Sequence, residues 1–193
     1  MPAPKVPSPE EATPYDLGSF QQLPAGEERI RRFVDVMIAE EKKPGKRSWM
    51  ADVLPYLTML SSAPAAGEKG PSLLFRLEVQ HVHSNAIGHM QGGCASTLLD
   101  YVTSLSLGLI NKPGFWFFLG VTRTLTVTLL RPIPIGEVIL IEGELVHAGR
   151  RLAHLRGRIT RESDGAVLAV CEHDKVNSDP PGMSVPMPEK SKL

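Results

Sequence analysis

From Glu27 to Glu41 the apolar residues Ile30, Phe33, Val34, Met37 and Ile38 recur at helical spacing, with Arg31, Arg32, Asp35 and Glu40 between them. The pattern predicts one amphipathic helix. Lys42 to Arg47 is basic, contains Pro44-Gly45 and reads as a loop. Trp49 to Leu60 is apolar and broken by Pro55, with Leu57 to Ser62 compatible with a first strand; a further strand runs from Leu73 to Gln80. Gly92-Gly93 then opens a long helix whose stripe is Ala95, Leu98, Leu99, Val102, Leu105, Ser106 and Leu109. Leu107 and Ile110 widen that stripe until the helix is apolar almost all round, which predicts a central position. Asn111-Lys112-Pro113-Gly114 stops it.

Four strands follow. Between Phe115 and Arg131, Val121, Leu125, Val127 and Leu129 alternate with Thr122, Thr124, Thr126 and Thr128. Gly136 to His147 carries Ile139, Ile141 and Leu145 on one face. Ala148-Gly149-Arg150 turns the chain into Leu152 to Thr160, and the hairpin signal Ser163-Asp164-Gly165 leads into Ala166 to Lys175. Short turns imply antiparallel neighbours. The expected class is α+β, with a curled sheet burying the helix circumference. Residues 1–26, with Pro2, Pro4, Pro7, Pro9, Pro14 and Pro24, read as a flexible leader. Residues 27–56 form a helical extension, 57–176 the main domain and 177–193 a proline-rich flexible tail.

The chain has 193 residues, 42% of them hydrophobic, and 21 basic residues balance 21 acidic ones. That size fits about one domain with appendages. Zero net charge leaves no electrostatic footprint for nucleic acid. No apolar run is long enough for a membrane helix, and the beginning of the sequence lacks a secretory pattern. Two cysteines, Cys94 and Cys171, make no disulfide framework. Ser191-Lys192-Leu193 matches a peroxisomal address read by an import receptor, which requires a free terminal carboxylate. The expected location is the peroxisome, with the cytosol before import, and acyl-CoA chemistry is the associated prior.

The stretch Asn85-Ala86-Ile87-Gly88-His89-Met90-Gln91-Gly92-Gly93-Cys94 is the richest in chemistry. Glycines at a helix start leave amide hydrogens bare at the positive helix end, where an anion or developing oxyanion can bind. They equally permit a plain tight turn. Asp100 lies two turns further on in an apolar helix, where a carboxylate is costly unless paired or functional. Gly92 and Asp100 are eight residues apart, about 12 Å along the helix. One carbonyl cannot touch both within a single chain, so joint action predicts a symmetric dimer with composite sites.

The series Asn85-x-x-Gly88-x-x-Gln91-Gly92-Gly93, Asp100, Gly120-Val121-Thr122, Arg131-Pro132 and Gly136-Glu137 resembles hotdog-fold acyl-CoA thioesterases of the phenylacetyl-CoA thioesterase type. The resemblance spans about residues 57 to 175. It implies a long helix wrapped by a curved antiparallel sheet, in homodimers or dimers of dimers, hydrolysing acyl-CoA to free acid and coenzyme A. It also implies roles: Asp100 as base or nucleophile, Gly92 as donor to the thioester oxygen, Asn85 as orienting group, Thr122 beside the attacking water. Gln91 stands where that family usually has histidine; glutamine donates hydrogen bonds but carries no proton near neutral pH.

Gly93, Met90, Arg123, Arg150 and Arg151 are further candidates for substrate contact, the arginines for coenzyme phosphates. Met90, Leu99, Phe117 and Phe118 are pocket candidates. His81, His83 and His89 lack the companions of a metal set, and neither a metal nor a separate cofactor is expected. Cys94 reads as small apolar filler or as a thiol activated by the helix start. Two other functions remain open: a lyase, isomerase or cyclase acting on an acyl or polyketide-like thioester, and a non-enzymatic acyl-CoA binding module.

Overall fold

The computed structural model describes residues 24–43 and 48–179. The leader as far as residue 23, residues 44–47 of the basic loop, and the tail from residue 180, including Ser191-Lys192-Leu193, lie outside those residues. Helix α1 spans Glu27–Glu41 and helix α2 spans Gly92–Ser106, continuing into a 3-10 turn at Leu107–Leu109. The strands are β1 (Thr58–Ala63), β2 (Ser72–Glu78), β3 (Val121–Leu129), β4 (Val138–Ala148), β5 (Leu152–Arg161) and β6 (Val167–Val176). They form one antiparallel six-stranded sheet in the order β1-β2-β4-β5-β6-β3.

The sheet curves around α2. Its inner face presents Leu73, Phe75 and Leu77 from β2, Ile139, Ile141 and Leu145 from β4, and Leu155 and Ile159 from β5, all buried. Against them α2 buries Ala95, Leu98, Leu99, Val102 and Leu105. Burying a large aliphatic side chain contributes roughly 1.5–3 kcal/mol, so this seam dominates the fold's stabilisation. The helix approaches closely because Gly143 of β4 pairs with Gly157 of β5 beneath it. A Cβ on Gly143 would lie 2.8 Å from the Val102 carbonyl oxygen, and one on Gly157 would lie 2.9 Å from Leu99.

Helix α1 lies beside this body. Ile30 packs on Gly108 at the end of α2. The Glu27 carboxylate pairs with Arg31 and accepts from both the backbone N–H and the hydroxyl of Ser62, at 2.9 and 2.8 Å, which ties α1 to β1.

Two differences from the sequence pattern bear on the site. The third strand begins at Val121, not Phe115. Trp116, Leu119 and Gly120 adopt left-handed backbone angles (φ 56°, 60° and 62°), which a strand cannot contain. Trp116 is buried there, its indole N–H donating to the Gly149 carbonyl at 2.7 Å. Period two also fails by one residue near the start of β3. Thr122 pairs with Lys175 and Thr124 with Asp174, leaving Arg123 as the extra residue of a bulge. Thr122 therefore shares the inner face with Leu125 and Val127, which sit opposite the buried His173 and Cys171.

Candidate active site

The bulge brings Thr122 to Asp100. The Thr122 hydroxyl donates to Asp100 Oδ1 at 3.0 Å and lies 3.0 Å from His173 Nε2, while that nitrogen is 3.4 Å from the same carboxylate oxygen. On the far side of the imidazole, Nδ1 is 2.7 Å from the Thr103 hydroxyl. The Thr103 hydroxyl also donates to the Leu99 carbonyl at 2.6 Å. The imidazole thus bridges the Thr103 and Thr122 hydroxyls, and Thr122 carries the connection on to Asp100. The Asp100 side chain is 45% exposed and the His173 side chain is fully buried. One carboxylate oxygen is thus held from below while the other stays open to a reactant.

Lys175, also buried, donates from Nζ to the Ser104 hydroxyl at 2.7 Å. Burial lowers its pKa, and the attraction of Asp100 opposes that shift. Burial, aided by the charge of Lys175, depresses the His173 imidazole to about 4. It is therefore neutral near pH 7 and serves as a positioning group.

These buried polar residues are what sequence reasoning missed. The signal was present: Ala169, Cys171, His173 and Lys175 alternate along the inner face of β6, so a histidine and a lysine interrupt an apolar row. Neutral burial has a cost at low pH. His83, also buried, accepts from the Gln80 N–H at Nδ1 (3.0 Å), donates to the Asp52 carbonyl at 2.8 Å, and has a pKa lowered by burial. Both histidines bind fewer protons folded than unfolded once pH drops below the ordinary imidazole value. Stability should therefore fall from about pH 6.5 towards 4, by up to roughly 3 kcal/mol for His173 alone. Urea midpoints measured across that window should show the slope, and His173→Gln should flatten it.

At the start of α2, Gln91 is the N-cap with extended backbone, and its side chain makes no capping bond. Among the described residues, neither the Gly92 nor the Gly93 amide hydrogen has an acceptor, as expected of a first helical turn. Asn85 shapes the preceding loop: its Oδ1 accepts from the N–H groups of Ile87 (3.1 Å) and His89 (3.2 Å). Met90 is 7% exposed and belongs to the core, as does Leu99; Phe117 is buried and Phe118 is partly exposed. Within one chain Asn85, Gln91, Gly92 and Gly93 gather at the beginning of α2, while Asp100 and Thr122 meet two turns away.

Arg123 lies on the bulge, and Arg150 and Arg151 on the β4–β5 turn, all exposed. Val176 pairs with both Val121 and Leu152, which puts these arginines at one end of the sheet, the end that holds Thr122. Burial raises the Cys94 thiol to about 11 and Cys171 to about 12, the opposite of an activated thiolate. Among the described residues no three His, Cys, Asp or Glu side chains form a metal cluster, and no helix is long and apolar enough to cross a membrane.

The thioesterase superfamily model matches residues 87–168, which contain Gly92, Asp100 and Thr122. Human acyl-coenzyme A thioesterase 13 is 29% identical over 123 residues, covering 64% of this chain and 81% of that protein. Over these residues the chain is similar to the thioesterase superfamily. Its fold agrees with zebrafish thioesterase superfamily member 2, at a TM-score of 0.63 and 24% identity, covering 77% of this chain and 97% of that structure. A thioesterase structure from Streptococcus pneumoniae with coenzyme A superposes at 0.51 with 21% identity, over 62% of this chain and 87% of that one. The helix and curved sheet thus match the hotdog fold of these structures.

Proposed function

We propose that this chain hydrolyses acyl-CoA thioesters at two composite sites of a homodimer. The observation that carries the reading is the Thr122–Asp100 hydrogen bond, braced from below by His173, on the same helix as two unpaired amide donors. Asp100 accepts a proton from water as the water oxygen attacks the thioester carbon. Thr122 fixes the carboxylate, and through it the line of attack. The amides of Gly92 and Gly93 of the second subunit receive the oxyanion, assisted by the Gln91 side chain. When the C–S bond breaks, the proton held by Asp100 passes to the departing sulfur, leaving free acid and coenzyme A. Gln91 need carry no proton in this scheme, because Asp100 both takes it and returns it.

The dimer is supported by β3, a sheet edge paired, among the described residues, only with β6, with Val121 57% and Leu129 52% exposed. Such an edge offers unpaired backbone groups for a twin strand. Arg123, Arg150 and Arg151 suit the coenzyme phosphates. Where Leu193 carries the terminal carboxylate, Ser191-Lys192-Leu193 would direct the enzyme to the peroxisome.

Release of free thiol from a panel of acyl-CoAs tests the reaction, and subunit mixing tests the site. Gly92→Pro removes one donor yet suits the first helical position, since Gln91 is already extended (φ −65°, ψ 134°). The nearest obstacle is only the flexible end of Leu129. Co-expressed Gly92→Pro and Asp100→Asn subunits should regain one intact site per mixed dimer, about half of wild-type turnover. A mixed dimer as inactive as its parents would place both groups in one chain and reject the composite site.

A further inference from the structure

Trp49 lies outside the superfamily match, and the residue is 79% exposed. Its exposure is nevertheless organised. The indole N–H donates to Thr97 Oγ1 at 2.9 Å, and that hydroxyl in turn donates to the Gly93 carbonyl at 2.9 Å. The turn beneath the ring is braced as well: the Ser48 N–H donates to the Glu41 carboxylate at 3.0 Å, and the Met50 N–H donates to the Ser48 hydroxyl at 3.0 Å. The polar edge is thus fixed and the ring faces are left bare. A ring that exposed adds little burial energy to the fold. Gly93, Thr97 and Asp100 are spaced four and three residues apart, so they share one face of α2. Thr97 is one turn, about 4.5 Å, from Asp100.

Resting on the reading of Asp100 as the group beside the thioester carbon, we propose that Trp49 is a specificity-determining residue whose indole face packs on the acyl group. Held on Thr97, which is one turn from Asp100, the indole can reach the substituent on the carbonyl, whereas the adenine is removed by the whole pantetheine arm. An indole face favours a flat aromatic group over a puckered ring of equal size, so the residue selects arylalkyl acyl groups.

The experiment compares kcat/KM for 3-phenylpropanoyl-CoA, 3-cyclohexylpropanoyl-CoA and acetyl-CoA in wild type, Trp49→Ala and Trp49→Phe. Trp49→Ala should lose about tenfold on the phenyl substrate, distinctly less on the cyclohexyl one and least on acetyl-CoA; Trp49→Phe should restore most of the preference. Equal losses on all three substrates would overturn the proposal, since they would assign the ring to the pantetheine arm or to general structure. Fluorescence gives a second readout, because the chain has two tryptophans and Trp116 is buried. The non-hydrolysable thioether analogue of 3-phenylpropanoyl-CoA should quench wild-type emission, and the quenching should vanish in Trp49→Phe. Binding by calorimetry without quenching would also overturn it. If wild type hydrolyses none of the three thioesters, the hydrolytic reading fails, and the quenching alone decides the place of Trp49.

Discussion

Asp100→Asn is expected to fold and assemble like the wild type and to lose about 10²–10⁴ in kcat, the usual contribution of a positioned general base. The substitution isolates the chemistry. Asparagine keeps the size of the side chain and an oxygen to accept from Thr122, which now sits 3.0 Å from Oδ1. The side chain is half-exposed, so the amide's new donor can reach water and no buried group is orphaned. What disappears is the capacity to take a proton from water and return it to sulfur. Thiol release from several acyl-CoAs, beside circular dichroism and sizing by gel filtration, checks both halves of the expectation. Wild-type turnover by the variant would remove the carboxylate from the mechanism. Mass analysis of wild-type products separates hydrolysis, which adds one water and frees coenzyme A, from proton abstraction at carbon, which leaves the thioester intact.

Gly157→Val is expected to lower stability by about 3 kcal/mol or more, read as a fall in the urea midpoint or as loss of soluble protein. A first methyl group at this position would meet Cys171 Sγ at 2.7 Å and both Leu99 and Thr103 at 2.9 Å. Overpacking a dense core usually costs about 1–3 kcal/mol, and valine adds two more methyl groups where even one does not fit. The helix would have to lift from the sheet. Thr103 would move with it, and Thr103 holds the imidazole on which Thr122 and Asp100 depend. Gly149→Ala is the control: its nearest neighbour would be the Leu152 carbonyl at 3.5 Å, so a change within about 0.5 kcal/mol is expected.

Much of this architecture was legible because α2, β4, β5 and β6 each run for ten residues or more. Helical spacing from Ala95 to Leu105 and alternation along β4, β5 and β6 each leave one reading that buries the apolar set. The loop before β3 was not legible. Phe115 to Phe118 looks like strand by residue type, but Trp116 gains more by entering the core through a left-handed turn than by extending the ladder. Asp100 and the glycine pair stood out by their chemistry alone. His173 and Lys175 did not, because a polar residue within an alternating strand is assigned to solvent until the register shows which side it faces. Their partners, Thr103 and Ser104, come from about seventy residues away, a separation that no local pattern conveys.

The supernumerary residue at Arg123 acts as a frame shift in the sheet. Were Arg123 itself to pair with Lys175, alternation along β3 would run unbroken and the Thr122 hydroxyl would turn outward, away from the aspartate it serves. In this segment, therefore, strand register matters as much as residue identity: a ladder formed without the bulge would disable the site while leaving every side chain it requires still encoded.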